Sequence, residues 1–305
     1  MDIGGRRNIL GPQAASIAED EGFYSVERAE RPILITGASG RLGRVLRAAW
    51  PARLAGLARP LWQSRGGAVP GAVVWDPLAG PYRGPALAGG AILHLAGGRI
   101  DAAATVALAR AVCDLARRQG AALVLLASSS AVYGPGEDLA EEAPLRPAGD
   151  YGAAKRAMEA AVAGRPGVTC LRIGNVLGAD ALIGAAVPGR PVTLDPVPGH
   201  EGGPVRSYIG PLAFAEVLAR LCLRGIGGAG ALPPVLNLAA APPVAMGALL
   251  DAAGLPWAYG PPNPGVVARV TLDVARLAAL VGAEATAATP AGMVAEWRRG
   301  TGGAA

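Results

Sequence analysis

Residues 33–43 read Ile-Leu-Ile-Thr-Gly-Ala-Ser-Gly-Arg-Leu-Gly, and this stretch decides the fold. Its first four residues form an apolar run that predicts a β-strand, and residues 42–50 predict a helix. Gly37, Gly40 and Gly43 lie where glycine permits a tight turn, close approach of the backbone to a pyrophosphate, and contact between helix and strand. The stretch predicts a dinucleotide-binding turn, although an ordinary βα turn would carry the same pattern.

The same order of strand and helix recurs along the chain. Further strands are predicted at 53–57, 72–75, 91–95, 122–127, 168–173 and 235–238, and helices at 102–118, 151–163 and 212–223. Because parallel strands need crossover connections, this alternation predicts an α/β fold with a doubly wound, parallel Rossmann sheet.

Composition and the strand and helix pattern divide the chain into three parts. Residues 1–31 are mixed in charge and are expected to form an N-terminal extension. Residues 32–178 and 206–240 carry the strand and helix pattern and are expected to form a dinucleotide-binding domain. Residues 179–205 and 241–300 are richer in proline and glycine, with loops at 188–204 and 256–265, and are expected to form a smaller C-terminal substrate lobe.

Composition excludes several other classes of protein. The chain has 305 residues, 51% of them apolar, which is enough for a large core. Its longest uncharged stretch is interrupted by prolines, and its N-terminus lacks the apolar run of a secretory signal, so we expect a cytoplasmic protein without a membrane span. The three cysteines and two histidines are dispersed, which predicts neither disulfides nor a metal site. Arginines are scattered too, so the net charge of +5 favours anionic small molecules over nucleic acid.

The residues after the second predicted strand bear on the choice of cofactor. NAD enzymes usually place an acid there for the ribose 2′-hydroxyl, whereas an arginine accommodates a 2′-phosphate. Residues 53–65 contain no acid, and Arg59 follows the predicted strand. We therefore expect NADP(H) to be favoured over NAD(H), with Arg59 and Arg41 contacting the phosphate, unless Arg59 is a solvated surface residue. Asp76 ends the third predicted strand and could accept from the adenine amino group or cap the following turn.

A tyrosine and the single lysine of the chain stand four residues apart. Tyr151 and Lys155 begin a predicted helix, so the phenol and the ammonium share one face. A nearby cation favours the phenolate and should lower the pKa of Tyr151 toward the working pH, as a general acid/base requires. A chance pairing on the surface is the alternative. The serines at 128–130 end a predicted strand, where a hydroxyl faces the ligand crevice or simply forms a loop.

These motifs, taken in order, resemble the extended short-chain dehydrogenase/reductase family of NAD(P)-dependent epimerases and dehydratases. Besides the turn, the resemblance rests on His94-Leu-Ala-Gly97, the run Ser-Ser-Ser-Ala-Val-Tyr-Gly at 128–134, the Tyr151 and Lys155 pair, Leu-Arg-Ile-Gly-Asn-Val-Leu-Gly at 171–178, and Arg-Ser-Tyr-Ile at 206–209. It covers about residues 32–300.

The resemblance implies a role for each matching position. Tyr151 would be the acid/base, Lys155 would bind the nicotinamide ribose and lower the pKa of the tyrosine, and Ser129 would orient the reacting oxygen. The cofactor would contact Gly37, Ser39, Gly40, Arg41, Leu42, Gly43, Arg59, Asp76, Ala96, Gly97, Lys155 and Ile173. Substrate would contact Ser130, Asn175 and Arg206, although Asn175 could be a turn residue and Arg206 a surface charge.

Departures from the family pattern reduce the number of reactions that we expect of this chain. Sugar dehydratases that resemble this family carry Asp-Glu after the catalytic hydroxyl, whereas Ser130 and Ala131 follow here, so elimination is disfavoured. We expect an NAD(P)-dependent oxidoreductase that transfers hydride between a nicotinamide and a carbonyl or secondary alcohol. The alternatives are an NAD-dependent nucleotide-sugar 4-epimerase and, more remotely, a non-catalytic dinucleotide sensor. The family also implies a possible homodimer through the helices at 102–118 and 151–163.

Overall fold

The computed structural model describes residues 31–54, 59–97, 101–187, 189–227 and 231–300. Its helices are α1 (Arg41–Leu54), α2 (Ala102–Gln119), α3 (Asp150–Val162), α4 (Pro211–Ile226), α5 (Met246–Ala253), α6 (Ala275–Val281) and α7 (Pro290–Gly300), with 3₁₀ turns at Ser130–Val132 and Ala283–Ala285. Its strands are β1 (Pro32–Thr36), β2 (Arg59–Ser64), β3 (Val73–Val74), β4 (Ala91–His94), β5 (Leu123–Ser129), β6 (Gly136–Leu139), β7 (Val168–Ile173), β8 (Asn175–Val176), β9 (Val192–Leu194), β10 (Val205–Arg206), β11 (Tyr208–Ile209), β12 (Val235–Leu238), β13 (Val244–Ala245), β14 (Trp257–Tyr259) and β15 (Arg269–Leu272).

A seven-stranded parallel sheet forms the centre of the fold. Its strand order is β12-β7-β5-β4-β1-β2-β3, and every pairing in it is parallel. The chain winds to one side of β1 through β2 and β3, and to the other side from β4 onward. The expected doubly wound Rossmann sheet is therefore confirmed, and the carboxyl ends of β1 and β4 border the crevice in which such sheets bind ligands.

Alternating residues of each strand fill two cores, one on each face of the sheet. Ile33 and Ile35 pack with apolar side chains of α1 and α4 on one face. Leu34, between them, packs on the other face with residues of α2 and α3, including Val112 and Met158. Because both faces are covered, the strands read as continuous apolar runs, which is why the sequence revealed most of them.

The second strand is the main error of the sequence prediction. The predicted strand at 53–57 is wrong where it is described, since α1 continues to Leu54, and β2 begins at Arg59. Arg59 pairs with Pro32, the first residue of β1, so it lies at the amino edge of the sheet, away from the crevice. Pro60 marks a break in the sequence pattern, yet proline is tolerated near the start of a strand.

The connections around β3 are shorter than the fold usually has. In the continuously described stretch 59–97, no helix links β2 to β3 or β3 to β4. β3 has two residues, paired with Gln63 and Ser64 at the end of β2. The sheet therefore ends in a very short strand, β3, at the edge next to the adenosine side of the expected cofactor site.

A third apolar cluster lies outside the central sheet. Leu182, Leu194, Tyr208, Leu249 and Met293 are among its buried members. Around it run the pair β9-β14 and the four-stranded sheet β13-β10-β15-β6, so part of each predicted proline-rich loop is a strand. The boundaries of the expected substrate lobe stay a prediction.

No helix among the described residues is long and apolar enough to cross a membrane.

Candidate active site

The glycine turn between β1 and α1 is as compact as the sequence predicts. Gly37 has a φ of +78°, and a Cβ placed on it would lie 2.8 Å from the backbone nitrogen of Ala96 after β4. A Cβ on Gly43 would lie 2.3 Å from the Gly37 carbonyl oxygen, which no side chain tolerates. The turn therefore offers backbone and no side chains to the crevice at these positions, and this cradle fits a pyrophosphate at the amino end of α1.

Other predicted cofactor residues line the same edge of the sheet. Ser39, Gly40, Arg41 and Leu42 complete the turn at the start of α1. Ala96 and Gly97 follow β4, and Ile173 ends β7 in register with Ser129 at the end of β5. The structure thus brings these positions together at the carboxyl ends of β1, β4, β5 and β7.

Arg59 and Asp76, which are predicted to contact the adenosine end of the cofactor, do not lie where the sequence suggests. Arg59 is exposed at the amino edge of β2, so its predicted position just past the carboxyl end of that strand is wrong. Asp76 lies two residues past β3, and its Oδ1 accepts a hydrogen bond of 3.0 Å from the backbone nitrogen of Leu78. This bond is the turn cap that the sequence left open as its alternative role.

A side chain that the sequence analysis overlooked occupies the end of β2. Gln63 is 2% exposed; its Oε1 accepts from the Gly37 nitrogen at 3.1 Å, and its Nε2 donates to the Trp75 carbonyl. Gln63 therefore joins the glycine turn to the segment after β3. The first residue past the strand is Arg65, which is exposed.

The predicted catalytic side chains meet where β5 faces the start of α3. The hydroxyl of Ser129 lies close enough to the Tyr151 phenol to influence its pKa, and the Ser129 Oγ accepts from the Ala131 nitrogen at 3.2 Å. Lys155 is 3% exposed; its Nζ lies 5.9 Å from the centroid of the Tyr151 ring and donates to the Ala127 carbonyl at 2.7 Å. Tyrosine, lysine and serine thus form one constellation.

The protonation of this constellation differs from the sequence expectation. Tyr151 is 48% exposed, yet burial around its hydroxyl raises the pKa, while the hydrogen bond with Ser129 and the charge of Arg41 oppose that rise. The predicted lowering of this pKa is therefore wrong for the protein without a bound cofactor. Burial lowers the pKa of Lys155 to about 8. At neutral pH the site holds a phenol, which can donate a proton, beside an ammonium group.

His94 ends β4 inside the protein and has a structural partner. Its Nδ1 lies 2.7 Å from the Thr36 hydroxyl, and burial, reinforced by the charge of Lys155, lowers its pKa to about 3. The imidazole is therefore neutral and ties β4 to β1 beneath the glycine turn.

The predicted substrate residues occupy the same side of the sheet but make different contacts. Ser130 begins the 3₁₀ turn after Ser129, and Asn175 lies on β8, paired with Tyr208 on β11. Arg206 donates to three backbone carbonyls, at distances between 2.7 and 3.2 Å. Its guanidinium thus holds β10 to the segment before β15, which is a third role beside the two that the sequence left open.

A buried polar network stands behind the constellation, and the sequence analysis missed it. Glu159, one turn after Lys155, accepts from the hydroxyl of Ser128 and from the guanidinium of Arg172. The Arg172 guanidinium also donates to the hydroxyl of Tyr133 at 2.9 Å, and that hydroxyl donates to Asn237 at 2.7 Å. The sequence did carry a signal for this network. Arg172 is a charged residue within the otherwise apolar strand β7, and Asn237 is an amide residue within the otherwise apolar strand β12.

Two other features bear on where ligands could bind. A cavity of about 630 Å³ opens beside the carboxyl ends of β6 and β15, lined by Asp138 and Asp273, and it contains none of the predicted site residues. Among the described residues, no group of three or more His, Cys, Asp or Glu side chains could hold a metal ion.

Part of the chain matches the model of a known protein family. Residues 93–189 match the model of the NAD dependent epimerase/dehydratase family. No curated protein matches the chain.

Solved structures share the fold over most of its length. The Thermus thermophilus UDP-glucose 4-epimerase in complex with NAD is 22% identical, with 89% of this chain and 99% of that chain covered at a TM-score of 0.61. The Streptomyces venezuelae dTDP-glucose 4,6-dehydratase DesIV is 18% identical, with coverages of 88% and 96% and a TM-score of 0.63. A short-chain dehydrogenase/reductase superfamily protein from Agrobacterium tumefaciens with bound NAD is 20% identical, with coverages of 89% and 97% and a TM-score of 0.65. The expected resemblance to the NAD(P)-dependent epimerase/dehydratase family is confirmed by the family model over residues 93–189. The solved structures show that the fold is shared over nearly nine-tenths of the chain.

Proposed function

We propose that this chain is an NAD(P)-dependent oxidoreductase that reduces a carbonyl group or oxidises a secondary alcohol, with Tyr151 as the acid/base. The observation that carries the proposal is the meeting of Ser129, Tyr151 and Lys155 beside a glycine turn that a pyrophosphate fits. A bound nicotinamide supplies or accepts the hydride.

The chain's own groups handle the oxygen and its proton. The hydroxyls of Ser129 and Tyr151, which lie near each other, would both contact the reacting oxygen. In the reductive direction Tyr151 donates its proton to that oxygen as hydride reaches the carbonyl carbon. The ammonium of Lys155 would stabilise the phenolate that remains and contact a ribose hydroxyl. The raised pKa of Tyr151 keeps the tyrosine protonated at neutral pH, which is the form that donates a proton in the reductive direction.

A nucleotide-sugar 4-epimerase is the second candidate. Epimerisation at C4 needs no acid beyond the tyrosine, and Ser130 and Ala131 leave no carboxylate directly after Ser129 for an elimination. Solved neighbours with this fold include a UDP-galactose 4-epimerase and a UDP-glucose 4-epimerase. Product analysis with UDP-glucose and UDP-galactose separates the candidates: interconversion without net change in NADH absorbance favours the epimerase.

The cofactor preference is proposed to depend on Arg65. The described stretch 59–75 contains no acidic residue, and Gln63 at the end of β2 is occupied by the backbone at Gly37 and Trp75. Arg65 is exposed directly past the carboxyl end of β2, the position from which a 2′-phosphate is bound. We therefore propose that NADP(H) is favoured over NAD(H) through Arg65, with Arg59 taking no part.

A titration with two matched variants tests this preference. NADPH and NADH are titrated into wild type, Arg65→Ala and Arg59→Ala, with binding followed by nicotinamide fluorescence. Loss of one charge-assisted contact should weaken NADPH binding by about tenfold or more in Arg65→Ala and leave NADH binding unchanged. Arg59→Ala, the same substitution at the opposite edge of the sheet, should bind both as wild type does. Tighter binding of NADH by wild type would contradict the preference.

Two further assignments belong to the same proposal. We propose a cytoplasmic enzyme acting on a small molecule. We also propose a homodimer formed through α2 and α3, which pack side by side on one face of the sheet. Sedimentation of the purified chain at a monomer mass would contradict the dimer.

A further inference from the structure

Two successive residues of β5 form hydrogen bonds with side chains on one face of α3. Lys155 donates to the carbonyl of Ala127 at 2.7 Å, and the hydroxyl of Ser128 donates to Oε1 of Glu159. Because Lys155 and Glu159 are four residues apart, they project from the same face of the helix. The next residue of β5, Ser129, carries the hydroxyl that influences the pKa of Tyr151, and Tyr151 lies one turn before Lys155 on that face.

Glu159 is itself fixed from the neighbouring strand. Its side chain is 7% exposed and that of Arg172 on β7 is 5% exposed, and the two are 2.8 Å apart at Oε2 and Nη2. Nε of Arg172 adds contacts of 3.2 Å to both carboxylate oxygens. The remaining Arg172 nitrogen, Nη1, donates to the Glu141 carbonyl and the Tyr133 hydroxyl. A buried carboxylate held by this many donors has little freedom to move.

We propose that Glu159 is a positioning residue for the acid/base constellation: it holds α3 in register with β5, and its charge keeps Lys155 protonated. This inference rests on the proposed function, because it assigns Glu159 a task through Lys155 and Tyr151. Glu159 is buried against Ser128 and Arg172 and acts through Lys155, so it is a positioning residue and not a catalytic one.

The charges around Lys155 support the second part of the proposal. Tyr151 and Glu159 face it from α3, Cys170 from β7 and His94 from β4. His94 is neutral, and Glu159 is the carboxylate among these groups. Burial lowers the pKa of Lys155 to about 8, and Cys170 and Glu159 both oppose that fall. Without Glu159, a larger fraction of Lys155 would be neutral at the pH at which its charge is needed.

The test uses the fact that Lys155 is the single lysine of the chain. Full-length protein labelled with ¹³C-lysine gives one ¹³Cε resonance, whose shift against pH reports the titration of Lys155. The midpoint is measured in wild type, Glu159→Gln and Glu142→Gln. Glutamine keeps an acceptor for Ser128 and removes the charge, and Glu142, in an exposed ion pair with Arg276, is the matched control for loss of one carboxylate.

We expect the Glu159→Gln midpoint to fall by about half a pH unit or more and the Glu142→Gln midpoint to stay at the wild-type value. A Glu159→Gln midpoint equal to wild type would overturn the proposal, since a purely structural ion pair would not set the charge of Lys155. If Glu159→Gln does not fold, the double variant Glu159→Gln, Arg172→Met removes the pair without leaving one charge buried. Its midpoint must still lie below that of wild type, although the fall is smaller because the positive charge of Arg172 is lost as well.

The titration also separates this inference from the proposed function. It requires neither cofactor nor substrate, so an absence of hydride transfer would count against the oxidoreductase alone. Where activity is found, the alkaline limb of the wild-type rate profile should move to lower pH in Glu159→Gln by the shift seen in the titration.

Discussion

Lys155 should make the folded protein less stable at neutral pH than an apolar residue of the same length would. Its side chain is buried, and burial lowers its pKa from 10.5 to about 8. Since the folded pKa lies below the unfolded one, the unfolded chain binds more protons between about pH 8 and 10.5. The free energy of unfolding therefore rises with pH in that window, and below it the full cost of about 3 kcal/mol is present.

The substitution that removes this cost is Lys155→Met. Methionine keeps the length of the side chain but leaves the Ala127 carbonyl without its donor, which offsets about 1 to 2 kcal/mol of the gain. At pH 7 we expect the variant to be more stable than wild type by about 1 to 2 kcal/mol while losing hydride transfer. Arg156→Met, at the exposed neighbouring position, is the control and should change stability little.

The assay is urea unfolding of both proteins at several pH values from 6.5 to 10. The difference in unfolding free energy between variant and wild type should be constant below about pH 7 and then shrink by up to about 1.4 kcal/mol per pH unit above pH 8. Other titrating groups are common to both proteins and cancel. A difference that is independent of pH, or a variant less stable than wild type at pH 7, would refute the reasoning.

Three further predictions concern the turn, the serine and a helix cap. Gly43→Ala should abolish dinucleotide binding and destabilise the fold, because its Cβ would lie 2.3 Å from the Gly37 carbonyl oxygen; titration and thermal melting check both effects. Ser129→Ala should lower the rate of hydride transfer by about a hundredfold and leave NADPH binding intact, which steady-state kinetics and fluorescence titration measure together. Glu296 accepts at 3.0 Å from the backbone nitrogens of Leu212 and Ala213 at the start of α4, so Glu296→Ala should lose about 1 kcal/mol in urea unfolding, and an unchanged midpoint would contradict the cap.

The parts of the fold that the sequence predicted are those written in local patterns. The turn between β1 and α1 needs glycines at fixed positions, and Tyr151 and Lys155 share a helical face through their spacing alone. Strands buried on both faces, such as Val168–Ile173, are continuous apolar runs and were found with their observed bounds.

The parts that escaped depend on contacts between distant residues. Nothing near Glu159 indicates that Arg172 will lie beside it, because the pairing follows from the register of β5 with β7. The second strand was misplaced because residues 53–57 are as apolar as a strand, yet helix α1 already continues to Leu54. That error placed Arg59 at the wrong edge of the sheet and concealed Arg65.

Hydride transfer by wild type and Tyr151→Phe tests the central claim most directly. Oxidation of NADPH and NADH is followed at 340 nm against a panel of aldehydes, ketones and nucleotide-linked ketosugars. We predict turnover by wild type with at least one carbonyl, and a loss of at least about a hundredfold in Tyr151→Phe with dinucleotide binding retained. Full activity in Tyr151→Phe, or a wild-type protein that binds neither dinucleotide, would contradict the account.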